Sequence, residues 1–170
     1  TRRINYNEKT LKDYMQNNLK VLIENTIFFE PKTFHYFTRY HEKIFVGYNR
    51  LFYKNINFLK NKLVSKKKIA VIISCPEKNL LSIKRNSCHI ISIVLYLFPD
   101  AKIVYSAKNG DNFFVRLISS KGYINIFYSL GSSANFSIAI YSIKEKFLLS
   151  PIVKLKCLNG LNEKQTINRK

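Results

Sequence analysis

The chain has 170 residues and carries 29 Lys and Arg against 10 Asp and Glu, a formal charge of +19. Its 46% hydrophobic content, with 13 Phe and 11 Tyr, is enough for a packed core and excludes disorder throughout. No run of about 18 apolar residues is present, so no transmembrane segment is expected. A polyanion such as a phosphate backbone would relieve the excess positive charge; codon bias toward lysine is the alternative explanation.

The first 68 residues predict a helical, basic and aromatic extension. Apolar residues at spacings of three and four predict an amphipathic helix within residues 1–30, ended by Pro31. Residues 32–53 interleave aromatic and basic side chains, a pattern that suits base stacking or, alternatively, a buried aromatic core with solvated charges. Residues 55–68 predict another helix. The apolar positions of the first helix are Leu11, Tyr14, Met15, Leu19, Leu22 and Ile23.

The segment from 69 to 100 predicts the centre of a sheet followed by a helix. Ile69–Ser74 is rich in β-branched residues and is closed by Pro76, which predicts a strand buried on both faces. Residues 77–98 predict a helix that runs into a strand, and Phe98-Pro99-Asp100 predicts a turn.

From residue 101 onward, turn signals divide the chain into short strands. Asn109-Gly110 and Lys121-Gly122 predict hairpin turns. Residues 131–133 predict a loop that caps a helix. The predicted elements are the strands Lys102–Ser106, Asn112–Ser119 and Tyr123–Ser129, the helix Ala134–Leu149 with Phe136, Ile140, Ile143 and Phe147 buried, and, after Pro151, the strand Ile152–Leu158.

Together these elements predict an α/β protein with a mixed β-sheet. The sheet contains a three-stranded antiparallel meander, a helix and a further strand, and it follows an N-terminal helical extension. We place the extension at residues 1–68 and an RNA-binding α/β domain at residues 69–170.

Signatures of catalysis are missing from the sequence. The five glycines, at 47, 110, 122, 131 and 160, form no phosphate-binding loop. Cys75, Cys88 and Cys157 have no paired spacing, which argues against a disulfide framework and predicts a reducing compartment. Cys75, Cys88 and His89 could be imagined as metal ligands, but buried structural cysteines are the preferred interpretation. We therefore predict no catalytic residue, no metal and no cofactor.

Residues 103–132, IVYSAKNGDNFFVRLISSKGYINIFYSLGS, resemble the signature region of the small-subunit ribosomal protein S-eleven family without a gap. Leu117, Ile124 and Phe127 are close replacements. Ile152–Ile167 resembles the next strand and turn of that family, with Gly160 and Ile167 matching. The residues identical in the first region are Asn112, Val115, Gly122, Ser129, Gly131 and Ser132.

The resemblance implies a structural constituent of an organellar, mitochondrial ribosome in the matrix. Such a protein takes part in translation, binds ribosomal RNA and neighbouring ribosomal proteins, and has no small-molecule substrate. The basic loop of the family is nearly lost after Ser133, its arginine falls on Glu163 or Lys164, and its basic tail has no counterpart. The predicted RNA-binding residues are Lys66, Lys67, Lys68, Lys108, Asn109, Arg116, Lys121, Lys144, Lys146 and Lys164.

Three alternatives remain open at the level of sequence. Phe98-Pro99-Asp100 and residues 150–154 also resemble large-subunit ribosomal protein sixteen, although that alignment needs gaps. A peripheral basic subunit of a mitochondrial membrane complex would place the charge against anionic lipid. A metal-dependent nuclease would depend on a carboxylate such as Asp111.

Overall fold

A computed structural model describes residues 8–23, 35, 39–151, 154–159 and 163–167. The chain divides into two compact units, Thr1–Asn49 (unit 1) and Arg50–Lys170 (unit 2). This division lies between Asn49 and Arg50, whereas the boundary predicted from the sequence lies between residues 68 and 69.

The described residues of unit 1 include a helix and two short parallel strands. Helix α1 is Glu8–Gln16, and strands β1 and β2 are Val21–Ile23 and Ile44–Val46. The predicted helix is confirmed only in its first part, because Asn18 takes φ 58 and turns the chain out of the helix. Of the later apolar positions of the pattern, Leu19 therefore lies between α1 and β1, and Leu22 and Ile23 belong to β1. Pro31 lies outside the described residues.

Unit 2 is an α/β structure built on a mixed sheet, as predicted. A 3₁₀ helix, Asn49–Phe52, leads into it. The sheet order is β10-β9-β8-β7-β3-β6-β5-β4, in which β3 and β6 are parallel and every other pair is antiparallel. The elements are α2 Lys54–Leu63, β3 Ile69–Glu77, α3 Leu80–Leu97, β4 Lys102–Asn109, β5 Asn112–Ser119, β6 Gly122–Leu130, β7 Ser137–Tyr141, β8 Glu145–Leu149, β9 Leu155–Asn159 and β10 Glu163–Ile167.

The core of unit 2 lies on one face of this sheet. Val71 and Ile73 of β3 are buried in the same cluster as Leu59 of α2 and Ile93 of α3. Ile72 points to the opposite face, where it is exposed. The prediction that β3 lies at the centre of a sheet is confirmed, but the prediction that both its faces are buried is wrong.

The predicted helix at residues 134–149 is wrong, since this segment forms the antiparallel hairpin of β7 and β8. The helix was predicted from the spacing of its apolar residues and from the serines of the preceding loop, but apolar spacing does not by itself exclude two short strands. In the structure Ser142 closes the hairpin, because its Oγ accepts a hydrogen bond from the backbone N of Glu145 at 3.2 Å. Ile143, expected on the buried side of a helix, sits in this turn and is exposed.

Two other predicted elements have different bounds. Residues 80–97 form one continuous helix, so the strand predicted at the end of that segment is wrong. Helix α2 ends at Leu63, which leaves Lys66–Lys68 in the loop before β3. Pro76 does not close β3 but lies within it, beside Ser129 of β6.

Candidate functional site

The candidate site lies where β3 ends and α3 begins. Asn79 starts the helix with a capping box: its Oδ1 accepts from the Ser82 backbone N at 2.9 Å, and Ser82 Oγ accepts from the Asn79 backbone N at 3.1 Å. Because α3 begins directly after β3, the polar side chains in its first turns lie close to the last residues of that strand.

Glu77, the last residue of β3, is held by α3. The Asn86 amide Nδ2 lies 3.0 Å from each carboxyl oxygen of Glu77 and donates to them. Both side chains are half-buried. The contact joins residues of two elements and orients the Glu77 carboxyl group toward the helix.

Tyr128 of β6 brings a buried hydroxyl group to the same place. Burial raises the pKa of Tyr128 to about 12; a hydrogen bond with Ser87 opposes the shift, and Cys75, Glu77 and Cys88 add to it. The phenol is therefore protonated at neutral pH and can donate a hydrogen bond.

Two thiols lie beside this hydroxyl group. Burial, followed by the charge of Glu77, raises the pKa of Cys75 to about 12, while the Arg50 guanidinium opposes that shift. Burial also raises the pKa of Cys88, again against Arg50, and Cys88 Sγ donates to the Arg85 carbonyl oxygen at 3.2 Å. Both thiols are thus poor nucleophiles at neutral pH.

His89 lies on the next turn of α3. It follows Asn86 by three residues, so the two side chains lie on the same side of the helix. His89 is half-buried, its Nδ1 atom is shielded from solvent, and it is the sole imidazole in the sequence of unit 2. We call the following set the α3 cluster: Arg50, Cys75, Glu77, Asn86, Ser87, Cys88, His89 and Tyr128.

An open cleft of about 560 Å³ adjoins the start of α3. It lies at the carboxyl ends of the parallel strands β3 and β6, where ligands commonly bind in α/β sheets. Its lining residues are Lys78, Asn79, Leu80, Leu81, Asp111, Leu130 and Gly131. Within the described part of the chain, no three His, Cys, Asp or Glu side chains are grouped so as to hold a metal ion.

Several of the predicted RNA-binding residues meet at the amino end of β3, away from this site. Lys66 forms an ion pair with Glu145. Lys121 Nζ donates to the carbonyl oxygens of Leu63 and Val64 at 2.6 and 3.2 Å, which ties the end of α2. The loop residues Lys67 and Lys68 and the β7–β8 turn residue Lys144 lie at the same end of the sheet.

The remaining predicted residues are dispersed. Lys108 and Asn109 end β4 at the opposite end of the sheet. Arg116 and Lys146 lie on the face opposite the helices, where Arg116 Nε donates to Asn125 Oδ1 at 2.9 Å. Lys164 belongs to β10, and its side chain lies outside the described residues. Direct contact of any of these residues with a nucleic acid stays a prediction.

From the sequence, Cys75, Cys88 and His89 are conceivable metal ligands, with buried structural cysteines as the preferred interpretation, and the other members of the α3 cluster are not predicted. Burial of Cys75 and Cys157 is confirmed, and Cys88 is half-buried. Glu77 and Tyr128 meet only because β3 and β6 are adjacent in the sheet. That pairing leaves no local signal in the sequence.

No protein-family model matches the chain, and no curated protein matches it. Solved structures do. A dehydrogenase (MviM) from Clostridium difficile has a TM-score of 0.78 at 17% identity, over 94% of this chain and 58% of its own. UDP-N-acetylglucosamine 3-dehydrogenase from Acidithiobacillus ferrooxidans scores 0.73 at 13% identity, over 95% and 59%. A Gfo/Idh/MocA family oxidoreductase from Vibrio cholerae scores 0.68 at 10% identity, over 96% and 58%.

These similarities establish the fold, and the chain spans about three fifths of the length of each of these proteins. They overturn the resemblance to ribosomal protein S-eleven. They also overturn the prediction that the protein is a non-enzymatic constituent of a small or large ribosomal subunit. The predicted partners, ribosomal RNA and ribosomal proteins, and the predicted lack of a small-molecule substrate are wrong for the same reason. Among the described residues, no helix is long and apolar enough to cross a bilayer.

Proposed function

We propose that this chain forms the substrate-binding part of a dehydrogenase, in which the α3 cluster receives the proton of a substrate hydroxyl group. One observation carries the proposal: in a fold shared with dehydrogenases, the sole imidazole of unit 2 lies one helical turn beyond Asn86, which orients Glu77. Oxidation of an alcohol transfers a hydride from the hydroxyl-bearing carbon to an acceptor, which would be a nicotinamide dinucleotide held outside this chain, and releases the hydroxyl proton. Histidine is the side chain whose ordinary pKa suits acceptance of that proton near neutrality.

The substrate class that we propose is a sugar with a secondary hydroxyl group. One protein of the same fold is a UDP-N-acetylglucosamine 3-dehydrogenase, and the α3 cluster offers the mixed donors and acceptors that a sugar ring requires. Tyr128 supplies a protonated donor, Glu77 a carboxyl group, and Arg50 a fixed positive charge.

A nicotinamide dinucleotide does not fit the residues of this chain. One structure of the same fold, the WlbA dehydrogenase from Thermus thermophilus, is a complex with NAD. A dinucleotide diphosphate is commonly held by closely spaced glycines at the start of a helix. No two glycines of this sequence have that spacing. Gly122 serves strand packing, because a Cβ there would lie 1.8 Å from the Ile69 carbonyl oxygen. We derive no step through the dinucleotide.

Titration calorimetry of the full chain with UDP-N-acetylglucosamine tests the proposal. We expect saturable binding that His89→Ala weakens by roughly tenfold, the effect of losing one hydrogen bond to a polar ligand group. The matched control is His41→Ala, since His41 is an exposed residue of unit 1. No binding of this probe or of simple sugars by the folded protein, or equal binding by the His89 variant, would contradict the proposal.

A sugar-binding module without redox chemistry is the second candidate function. The sequence favours it in one respect, because a glycine-rich dinucleotide loop is missing. Addition of UDP-N-acetylglucosamine and NAD together tests this candidate. NADH production would contradict the module and would also show that this chain holds the dinucleotide without a glycine-rich loop, whereas sugar binding without NADH agrees with both candidates.

For the compartment, we propose a reducing environment. The three cysteines are free, and burial raises the pKa of each thiol, which is consistent with residues that do not form disulfides. The mitochondrial matrix stays a prediction.

A further inference from the structure

Three loops of unit 2 meet at the end of the sheet where β3 begins, and we call their residues the basic end. They are the α2–β3 loop, the β5–β6 turn and the β7–β8 turn. The Ile69 backbone N donates to the Lys121 carbonyl oxygen at 2.7 Å, which joins the first two. An ion pair between Lys66 and Glu145 joins the third. The basic end consists of residues 64–68, 120, 121 and 142–144.

The basic end carries an excess of positive charge. Two acidic residues lie beside it: Glu145 is paired with Lys66, and Asp100 accepts a hydrogen bond from the Ser120 backbone N at 2.6 Å. They balance only part of the charge. The charged residues within the basic end are all lysines, namely the half-buried Lys66 and Lys121 and the exposed Lys67, Lys68 and Lys144.

Two aliphatic side chains project from the same loops. Val64 directly follows α2 and is 70% exposed, and Ile143 lies in the β7–β8 turn and is 78% exposed. A single exposed apolar residue needs no explanation. Aliphatic loop residues among lysines, however, match a surface that enters the headgroup region of a membrane. There the lysines meet anionic headgroups, and the aliphatic side chains reach the acyl boundary.

The backbone at Lys68 is consistent with a binding role. Its φ of 58° lies in the left-handed region, which glycine and asparagine adopt more easily than lysine. A lysine at this position is unfavourable for folding. Such residues are expected where a side chain serves binding rather than stability.

We propose that the basic end binds the headgroup surface of an anionic phospholipid bilayer, with Val64 and Ile143 at the acyl boundary. A nucleic acid fits less well. The three loops, every residue of which the structure describes, contain no arginine for bidentate contacts to phosphate and no aromatic ring for base stacking. The cleft beside α3 lies at the carboxyl end of β3, so within unit 2 this docking leaves the cleft open.

Cosedimentation of the full chain with vesicles of phosphatidylserine and phosphatidylcholine tests the proposal, with pure phosphatidylcholine vesicles for comparison. We expect binding to the anionic vesicles that weakens as salt rises, because the attraction falls off within a Debye length. The charge of +19 would draw any face of the chain to these vesicles. Variants that compare the two ends of the sheet therefore decide the outcome.

Lys68→Asn should weaken vesicle binding about fivefold, the effect of one lysine close to an anionic surface. It should not lower the melting temperature, because asparagine tolerates a positive φ. Lys108→Asn is the matched control. It removes the same charge from an exposed residue at the opposite end of the sheet, and it should weaken binding by less than about twofold.

Ile143→Ser tests the apolar contact. It should weaken vesicle binding roughly tenfold, since most of an isoleucine side chain loses its burial, and it should leave binding to single-stranded RNA unchanged. Phe52→Ser is its control, because Phe52 is 80% exposed and precedes α2, whereas the basic end follows that helix.

Weaker vesicle binding by both folded variants of the basic end, but by neither control, supports the proposal. Three results overturn it: no binding to phosphatidylserine vesicles at low salt, equal losses in Lys68→Asn and Lys108→Asn, or vesicle binding that Ile143→Ser leaves unchanged. Tighter binding to RNA than to vesicles, through Lys68 and not Ile143, also overturns it and assigns the basic end to a nucleic acid.

Discussion

Burial determines the protonation state of Cys75 and Tyr128 in the α3 cluster. Cys75 lies one residue before Pro76 on the inward side of β3, and Tyr128 lies beside it on the inward side of β6. For both residues burial is the largest cause of a pKa raised to about 12. Because the neutral forms are favoured, the cluster keeps its hydrogen-bond donors at neutral pH and gains no thiolate.

These two groups predict a loss of stability in alkali. Their folded pKa values exceed the ordinary values of 9.0 and 10.0, so the unfolded chain loses these protons first and stability falls as pH rises. We expect a slope of about 1.4 kcal/mol per pH unit for each group, between pH 9 and 12 for Cys75 and between pH 10 and 12 for Tyr128.

Urea unfolding across this pH range measures the slope. Tyr128→Phe should remove about 1.4 kcal/mol per pH unit from the slope between pH 10 and 12 and leave the contribution of Cys75 in place. Tyr105→Phe is the matched control, because Tyr105 is an exposed residue of β4, and it should leave the slope unchanged. If the free energy of unfolding of the unmodified protein stays level up to pH 11, then burial does not raise the pKa of either Cys75 or Tyr128.

At the scale of elements, turn chemistry was the most informative part of the sequence. Asn109-Gly110 and Lys121-Gly122 predicted the turns of the β4–β5–β6 meander, and the pairings confirm both. Apolar spacing was less informative. Residues 134–149 form two strands because Ser142 closes a turn between them and β3 offers an edge for β7. Pairing with β3, which residues 134–149 do not themselves encode, decides that this segment forms strands and not a helix.

The close approach of β3 and β6 requires glycine at position 122. Gly122 starts β6 with φ +147, and a Cβ would lie 1.8 Å from the Ile69 carbonyl oxygen of β3. We expect Gly122→Ala to lower the free energy of unfolding by about 3 kcal/mol or more, since the strand backbones must separate. Urea unfolding measures the change.

Gly110→Ala is the matched control for this prediction. Gly110 has φ +55 in the β4–β5 turn and open space around the position of a Cβ. Backbone strain alone should cost about 1 kcal/mol. Equal losses in the two variants would mean that the contact between β3 and β6 is looser than the structure shows.

At the scale of the whole molecule, the charge of +19 predicts salt-dependent stability. Like charges repel more in the compact state than in the unfolded chain, and salt screens that repulsion. We expect the melting temperature to rise by several degrees between low and about 0.5 M sodium chloride, where the Debye length is only a few ångströms. Differential scanning calorimetry measures the shift, with an equal osmolality of sucrose as the control. A melting temperature that falls with salt would mean that ion pairs such as Lys66–Glu145 outweigh the net repulsion.

The resemblance to a ribosomal protein was wrong because it rested on a local strand pattern and not on the pairing of distant strands. The matched region, residues 103–132, is little more than the meander of β4, β5 and β6 with its two turns. Alternating apolar residues and turn glycines recur in any such meander. What distinguishes this fold is that β3 lies between β6 and β7, and that pairing joins parts of the chain far apart in sequence.

The sequence by itself determined the α/β class, the helix and strand segments with strong local signals, the buried cysteines and the excess of positive charge. Each follows from composition, periodicity or turn residues, which act over a few positions. Only the tertiary structure decided which strands pair, which face of the sheet stays exposed, and that Glu77 lies close to both Asn86 and Tyr128. Those facts depend on contacts between distant segments, where burial and hydrogen bonding outweigh local preference.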